Sequence, residues 1–159
     1  MRKYINAEAM QHSMKLIQMG AKVNQVNSKM CYVTFEVGEL ELEYVYNING
    51  KGQYFLERIK PYPLPMKVYE REEDLIDIIE IDVEQFKNAT KSHNINEFIC
   101  INSKLNETIK KFEDLFLYYN VAEIEAKNIV AKIYEIQDMI KETKEASERV
   151  YFRKDPDNI

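Results

Sequence analysis

The sequence predicts an α+β protein in which an N-terminal helix packs on a small antiparallel β-meander and a helical half ending in two long helices follows. Two stretches, 30–37 and 40–48, alternate apolar and polar residues with the period of two that is typical of strands. The second half keeps a helical spacing of apolar residues and contains no glycine, and no proline between the 60–65 segment and Pro156. That segment carries the other three prolines and separates the two patterns.

The first element is a helix expected from about Ala7 to Met19. Asn6 precedes it as a plausible N-cap, and Gly20 follows where a residue in the left-handed conformation commonly ends a helix. Its apolar stripe, expected to face the sheet, consists of Met10, Met14 and Ile17. The stretch after this helix leaves room for a further short strand near 22–27.

The meander follows from three strand patterns with turn signals between them. In the first, 30–37, one face is expected to carry Cys31, Val33, Phe35 and Val37. In the second, 40–48, one face is expected to carry Leu40, Leu42, Tyr44, Tyr46 and Ile48. Gly38 separates these two strands, and Asn49-Gly50 predicts a two-residue hairpin turn before a third strand at 53–60.

Residues 60–65 are expected to form a stiff, polyproline-like connector, because each proline fixes its own φ and disfavours the helical conformation of the residue before it. A helix rich in Glu and Asp at its start is predicted over 71–93. Asp82 with Gln85 resembles a capping box, which suggests a break in that helix near Asp82.

Two long helices are predicted over 96–119 and 121–149. Asn120 followed by Glu123 resembles a capping box and predicts the start of the second one. With almost no loop between them, the two helices form a corner, a hairpin or one kinked rod. At 1.5 Å per residue, they would be roughly 35 and 40 Å long.

The clearest pattern in the chain is an apolar seam on the last helix. Ala122 and Ala126 begin it, with gaps of four and three residues that keep one side of a helix apolar. Isoleucines continue it at Ile129, Ile133, Ile136 and Ile140. This spacing predicts a packing surface that requires a partner helix, and we interpret it as the seam of a homo-oligomer.

Composition excludes several classes of function. The net charge is -5 and the isoelectric point is near 5.2, so broad electrostatic binding to nucleic acid or to anionic membranes is not expected. No apolar run approaches the length of a membrane span, and the first residues lack the apolar core of a signal peptide. Cys31 and Cys100 do not resemble a disulfide framework, and we expect a cytoplasmic protein with free thiols.

Motifs for catalysis, metals or cofactors are not found in the sequence. The four glycines do not cluster into a phosphate-binding loop, and neither His12 nor His93 has a partner at metal-ligand spacing. The most regular carboxylate group is Glu73, Asp77, Glu80 and Glu84, spaced so that all four share one helical face. We interpret it as a solvated face that requires no metal; if it has a function, docking of a basic partner is favoured over catalysis.

The best candidates for ligand or partner binding lie on the third strand and in the proline segment. Arg58 and Lys60 are two residues apart, so strand alternation predicts that both lie on one face of the sheet together with Tyr54. Tyr62 of the proline segment is expected to extend this surface. Mixed aromatic and arginine surfaces are enriched at binding hot spots. The alternative is that the helical half covers this surface.

These observations predict two regions, 1–69 and 70–153, and a flexible tail at 154–159. The preferred function is that of a non-catalytic, oligomerising adaptor or inhibitor that binds a macromolecular partner, most plausibly a protein. The first alternative is a small-ligand or nucleotide-binding protein, with or without enzymatic activity, that uses the aromatic and basic sheet surface. A single-strand nucleic-acid accessory protein is the second.

Overall fold

The computed structural model describes residues 2–24, 28–92 and 94–159, so His93 and residues 25–27 of the proposed short strand lie outside the described residues. The helices and strands, in chain order, are α1 (Arg2–Gln18), β1 (Ser28–Val37), β2 (Leu40–Asn49), β3 (Tyr54–Lys60), β4 (Leu64–Tyr69), α2 (Glu72–Ala89), α3 (Ile95–Tyr118) and α4 (Glu123–Glu145). The strands form one antiparallel sheet in the order β1-β2-β3-β4. The predicted α+β class, with a meander followed by a helical half, is confirmed.

The turns of the sheet depend on glycine at two positions. Gly38 has a φ of +62° at the start of the two-residue turn between β1 and β2, a conformation that glycine adopts without steric cost. The predicted two-residue turn at Asn49-Gly50 is wrong. The loop between β2 and β3 has four residues, 50–53, with Gly52 at a φ of +79°. The Oδ1 of Asn49 accepts hydrogen bonds from the backbone N–H groups of Lys51 and Gln53, at 2.9 and 3.0 Å, and holds the longer loop.

The end of the proline segment becomes part of the sheet, so the predicted stiff connector is limited to residues 61–63. β4 begins at Leu64, pairs with β3 in an antiparallel register and forms the edge of the sheet. Pro65 lies opposite Glu57 in this register. An edge strand tolerates proline, because the missing N–H can belong to the side that has no neighbouring strand.

The core lies between the sheet and α2. The inner face of the sheet and the facing side of α2 together bury eight apolar side chains among the described residues, which are Val37, Leu42, Tyr44, Leu56, Leu75, Ile79, Val83 and Phe86. We call β1–β4 together with α2 the sheet unit. Its core includes residues on both sides of residue 70, and the division of the chain into domains stays a prediction.

The first helix differs from its prediction at its start and in its packing. It begins at Arg2 and therefore needs no cap at Asn6, whereas Gly20 ends it as expected, with a φ of +92°. The amides of Gly20 and Ala21 donate to the carbonyls of Ile17 and Leu16, at 2.9 and 3.0 Å, the pattern of a Schellman motif. The stripe expected to be buried is exposed, at Met10, Met14 and Ile17. The helix that covers the sheet is α2 rather than α1.

The helical half has the expected long helices, with different ends. α2 is continuous from Glu72 to Ala89, so the predicted break near Asp82 is wrong. The N-cap of α4 is Ala122 without a side-chain hydrogen bond, so the predicted capping pair at Asn120 is also wrong. Ala122 is extended at φ -65° and ψ 144°, which separates α3 from α4.

α3 and α4 form an antiparallel hairpin. Residues 119–122 connect them, and side chains at similar distances from this connection, such as Phe112 and Ile129, line the same groove. This resolves the choice among corner, hairpin and kinked rod. The open end of the hairpin lies at α2, because Phe98 at the start of α3 contacts Phe86 and the segment after α4 returns to Glu84. Neither α3 nor α4 has a buried residue.

Candidate functional site

Arg58 and Lys60 lie on opposite faces of the sheet, although strand alternation predicts one face for both. Glu43 is paired with Lys60 and Tyr44 with Arg58, so β3 contains one extra residue between neighbouring pairs. Such a bulge reverses the alternation beyond it. Arg58 therefore shares the inner face with Tyr44, and Lys60 shares the outer face with Glu43. Predicting the bulge requires knowledge of the cross-strand pairing, which the sequence alone does not provide.

On the inner face, Arg58 forms a buried ion pair with Asp82 of α2. Only 2% of Arg58 is exposed, and its Nη1 lies 2.8 Å from Oδ1 and 3.0 Å from Oδ2 of Asp82. The hydroxyl of Tyr44 donates to the same Oδ2 at 2.7 Å. Burial, and then this hydrogen bond, raise the pKa of Tyr44, so the hydroxyl remains a donor. The Nε of Arg58 is buried and has no hydrogen-bond partner among the described residues.

Aromatic rings cover the Arg58 guanidinium. Its Cζ lies 4.5 Å from the ring centroid of Tyr62 and 4.9 Å from that of Phe86, within the range of cation–π attraction. Phe98 of α3 packs edge-on against Tyr62 at 5.7 Å and contacts Phe86 at 6.3 Å. Burial raises the pKa of Tyr62. This cluster connects β3, the proline segment, α2 and α3. Its role is therefore structural.

On the outer face, Lys60 pairs with two glutamates. Its Nζ lies 2.7 Å from Glu41 and 2.8 Å from Glu43. The Lys60 ammonium and then the Tyr32 hydroxyl donate hydrogen bonds to Glu43 and lower the pKa of this carboxyl to about 2. The same contacts raise the pKa of Lys60. The cation is therefore neutralised locally and does not extend a basic surface.

The predicted exposed surface of Tyr54, Arg58, Lys60 and Tyr62 is therefore not formed. Arg58 is in the core, Tyr62 covers it, and Tyr54 is half-buried against the same core. Lys60 is separated from all three by the bulge. For Arg58 and Tyr62, the structure instead shows the alternative, in which the helical half covers these residues.

Among the described residues, α3 and α4 carry more of the exposed large apolar side chains than the other helices and strands do. They include three residues of the predicted seam, Ile133, Ile136 and Ile140, whereas Ile129 is half-buried near the connection. We define the apolar hairpin face as Ile101, Leu105, Ile109, Phe112 and Phe116 of α3 with Val130, Ile133, Ile136 and Ile140 of α4. Each of these side chains is between 43% and 63% exposed.

A groove of about 410 Å³ runs between the two helices in the middle of this face. Ile109 and Phe112 line it from α3, and Ile129, Ile133 and Ile136 line it from α4. Thr108, Asn128 and Lys132 complete the lining. The helices thus leave an open apolar slot that neither of them fills.

The acidic face of α2, which is Glu73, Asp77, Glu80 and Glu84, is occupied over half of its length by the end of the same chain. Arg153 donates to Glu84 at 2.7 Å and to Glu80 at 2.8 Å, and the Tyr151 hydroxyl donates to Glu84 at 3.0 Å. Hydrogen bonds from Arg153 and then Tyr151 lower the pKa of Glu84. Glu73 and Asp77 remain exposed, so the predicted solvated face holds for that half.

The described residues contain no group of three or more His, Cys, Asp or Glu side chains arranged to hold a metal ion. His12 is exposed. Within the same ranges, no helix is long and apolar enough to cross a membrane. Searches against protein families, characterised proteins and solved structures found no match for this chain.

Two residues that organise the molecule are not recognised from the sequence. Asp82 resembles a helix cap in the sequence, yet it is the buried partner of Arg58. Its position, three residues after the apolar Ile79 and four before the apolar Phe86, is a signal that it belongs to the buried stripe of α2. Arg153 is the last residue of the predicted region 70–153 and lies beyond the helix predicted over 121–149, so no periodicity indicates its partners on α2.

Proposed function

We propose that this protein is a non-catalytic, self-associating interaction protein in which the apolar hairpin faces of two copies pack together as a four-helix bundle. The observation that carries the proposal is the unburied apolar face along both helices. Its nine side chains, each about half exposed, present on the order of 700 Å² of surface. That area exceeds the largest apolar patch of a typical monomer, roughly 300–600 Å².

The area also supports a second copy as the partner. A standard stable interface buries about 800 Å² on each side, close to what this face offers. Two-helix surfaces of this kind pack on one another with their apolar rows interdigitated. The isologous pairing of one surface with itself is the commonest way in which identical chains associate.

The charges beside the face favour a second copy of the chain over a partner whose charges are mostly of one sign. α3 carries three lysines and four acidic residues, and α4 carries four lysines and six acidic residues. Several of these charges are already paired within their own helix, as Lys111 is with Glu107 and Lys127 with Glu123. Mixed, locally neutralised flanks present no single-sign field to attract a strongly charged protein.

Nothing in the geometry favours the alternatives based on the aromatic and basic sheet surface, because that surface is not formed. The proposal leaves the sheet unit outside the bundle, where it is available to a further macromolecular partner. The free thiols of Cys31 and Cys100 support our proposal of a reducing, cytoplasmic location.

The experiment that tests the proposal compares one substitution on two sides of α4. Ile133→Asp places a charge in the middle of the face, whereas Ile124→Asp makes the same change nine residues earlier, which is half a turn round the helix. Both residues are exposed in the single chain, so both variants should retain their helical circular dichroism. We expect Ile133→Asp to weaken self-association by about tenfold or more in sedimentation, and Ile124→Asp to leave it within roughly twofold. Equal masses for Ile133→Asp and the wild type at every concentration would contradict the proposal.

A further inference from the structure

The segment after α4 folds back and crosses α2. α4 ends at Glu145, and we call residues 149–157 the strap. Besides the contacts of Tyr151 and Arg153 with Glu80 and Glu84, the Nδ2 of Asn88 donates to the carbonyl of Val150 at 3.2 Å. These contacts join positions more than sixty residues apart in the sequence.

The docking of the strap is polar. Val150 and Phe152, which alternate with Tyr151 and Arg153, are 71% and 74% exposed, so the strap buries neither of these large apolar side chains on α2. The side chains of Arg153, Glu80 and Glu84 are between 39% and 56% exposed. Ion pairs with this degree of exposure contribute little to stability and weaken as salt is added.

Hydrogen bonds and a cation–π contact within the strap help to hold its shape. The Nε of Arg149 donates to the carbonyl of Tyr151 at 2.8 Å, and its Nη2 donates to the carbonyl of Lys154 at 3.1 Å and to Asp155 at 2.7 Å. The Arg149 guanidinium also lies 5.2 Å from the ring centroid of Phe152. A segment that is folded on itself and attached through two ion pairs and two further hydrogen bonds can detach as a unit.

We propose that the strap is a releasable clamp, which in its closed form ties the C-terminal end of α4 to α2 through Arg153 and Tyr151. When it is closed, both helices of the hairpin are attached to the sheet unit, since α3 is attached through Phe98. When it opens, only α3 remains attached, and α4 gains freedom relative to the sheet unit. Opening also frees Glu80 and Glu84, so the acidic face becomes continuous. This device is independent of the proposed self-association.

Trypsin provides a direct test, because the strap contains its cleavage sites at Arg149, Arg153 and Lys154. The test variant Glu80→Gln/Glu84→Gln removes both negative charges that pair with Arg153. The matched control Glu73→Gln/Asp77→Asn removes two charges from the same face of the same helix without touching the strap. The rate of cleavage in the strap is measured by mass spectrometry at low ionic strength, and cleavage after the buried Arg58 reports global unfolding.

We expect the test variant to be cleaved in the strap about fivefold faster than the wild type, or more, and the control to stay within roughly twofold. Roughly 0.5 M NaCl should accelerate strap cleavage of the wild type and leave the rate of the test variant unchanged. Cleavage after Arg58 should be equal in all three proteins. Equal strap cleavage in the test variant and the wild type, or acceleration only together with cleavage after Arg58, would overturn the proposal.

Discussion

Arg58 and Asp82 show how single residues determine the arrangement of the sheet unit. The arginine comes from β3, the aspartate from α2 and the hydroxyl from Tyr44 of β2, so one hydrogen-bonded group fixes three elements relative to one another. Both charges are almost completely buried, with 3% of the Arg58 side chain and 11% of the Asp82 side chain exposed. Removing either partner leaves the other buried without compensation, which is far more costly than losing an exposed ion pair.

We predict that Asp82→Ala lowers the free energy of unfolding by about 3–5 kcal/mol, since it strands the buried Arg58 charge. Asp77→Ala, on the exposed face of the same helix, should change it by less than about 0.5 kcal/mol. Urea unfolding at one fixed protein concentration and pH 7 measures both. Similar losses for the two variants would mean that the Arg58–Asp82 pair does not organise the core.

The lowered pKa of Glu43 predicts that the protein loses stability in acid. Its folded-state pKa of about 2 lies below its ordinary value of 4.5, because Lys60 and Tyr32 donate to the carboxylate. A carboxyl with a lowered folded pKa stabilises the protein fully above its unfolded pKa, and this stabilisation disappears as the pH falls towards the folded pKa. We therefore expect the stability difference between the wild type and Glu43→Gln to be constant near neutral pH and to shrink between pH 4.5 and 2. A difference that does not change with pH in unfolding titrations would contradict this assignment.

Among the elements, α2 contributes most to the packing of the molecule, because it covers the sheet and also contacts Phe98 and the strap. Its apolar residues occupy one side, with Leu75 1% exposed against the sheet and the adjacent Ile76 53% exposed. Three acidic residues in its first turn complement the helix dipole and favour a helix start at this point.

We predict that Leu75→Ala lowers the free energy of unfolding by about 2–5 kcal/mol, because it removes buried methyl groups and leaves a cavity. Ile76→Ala, one residue later, should cost less than about 1 kcal/mol. Thermal or urea unfolding distinguishes the two. If the two variants lost equal stability, α2 would not pack on the sheet as described.

The strands and helices could largely be predicted from the sequence, whereas their pairing could not. Alternation gave β1, β2 and β3 to within two residues, and helical spacing gave α3 and the middle of α4. β4 is not predicted because the prolines at 61, 63 and 65 indicate a connector, and the edge position of the strand makes Pro65 acceptable. The bulge that separates Arg58 from Lys60 is a property of two paired strands, so no pattern within β3 reveals it.

At the scale of the whole molecule, the buried core is confined to the sheet unit. Among the described residues, the eight buried apolar side chains all belong to β1, β2, β3 and α2, and the hairpin contributes none. The Ile seam was visible in the sequence because its spacing is local to one helix. The sequence also indicates an apolar stripe on α3, but it could not show that this stripe lies beside the seam, with an open groove between the two helices.

The central claim, self-association through the apolar hairpin face, is tested most directly by the mass of the wild-type protein in solution. Sedimentation equilibrium at tens of micromolar, roughly the range in which a moderately stable interface is occupied, measures that mass without regard to shape. We predict at least twice the chain mass of 18.9 kDa, falling towards 18.9 kDa on dilution. A mass of 18.9 kDa across the whole concentration range would contradict the claim and leave the hairpin face open in the isolated chain.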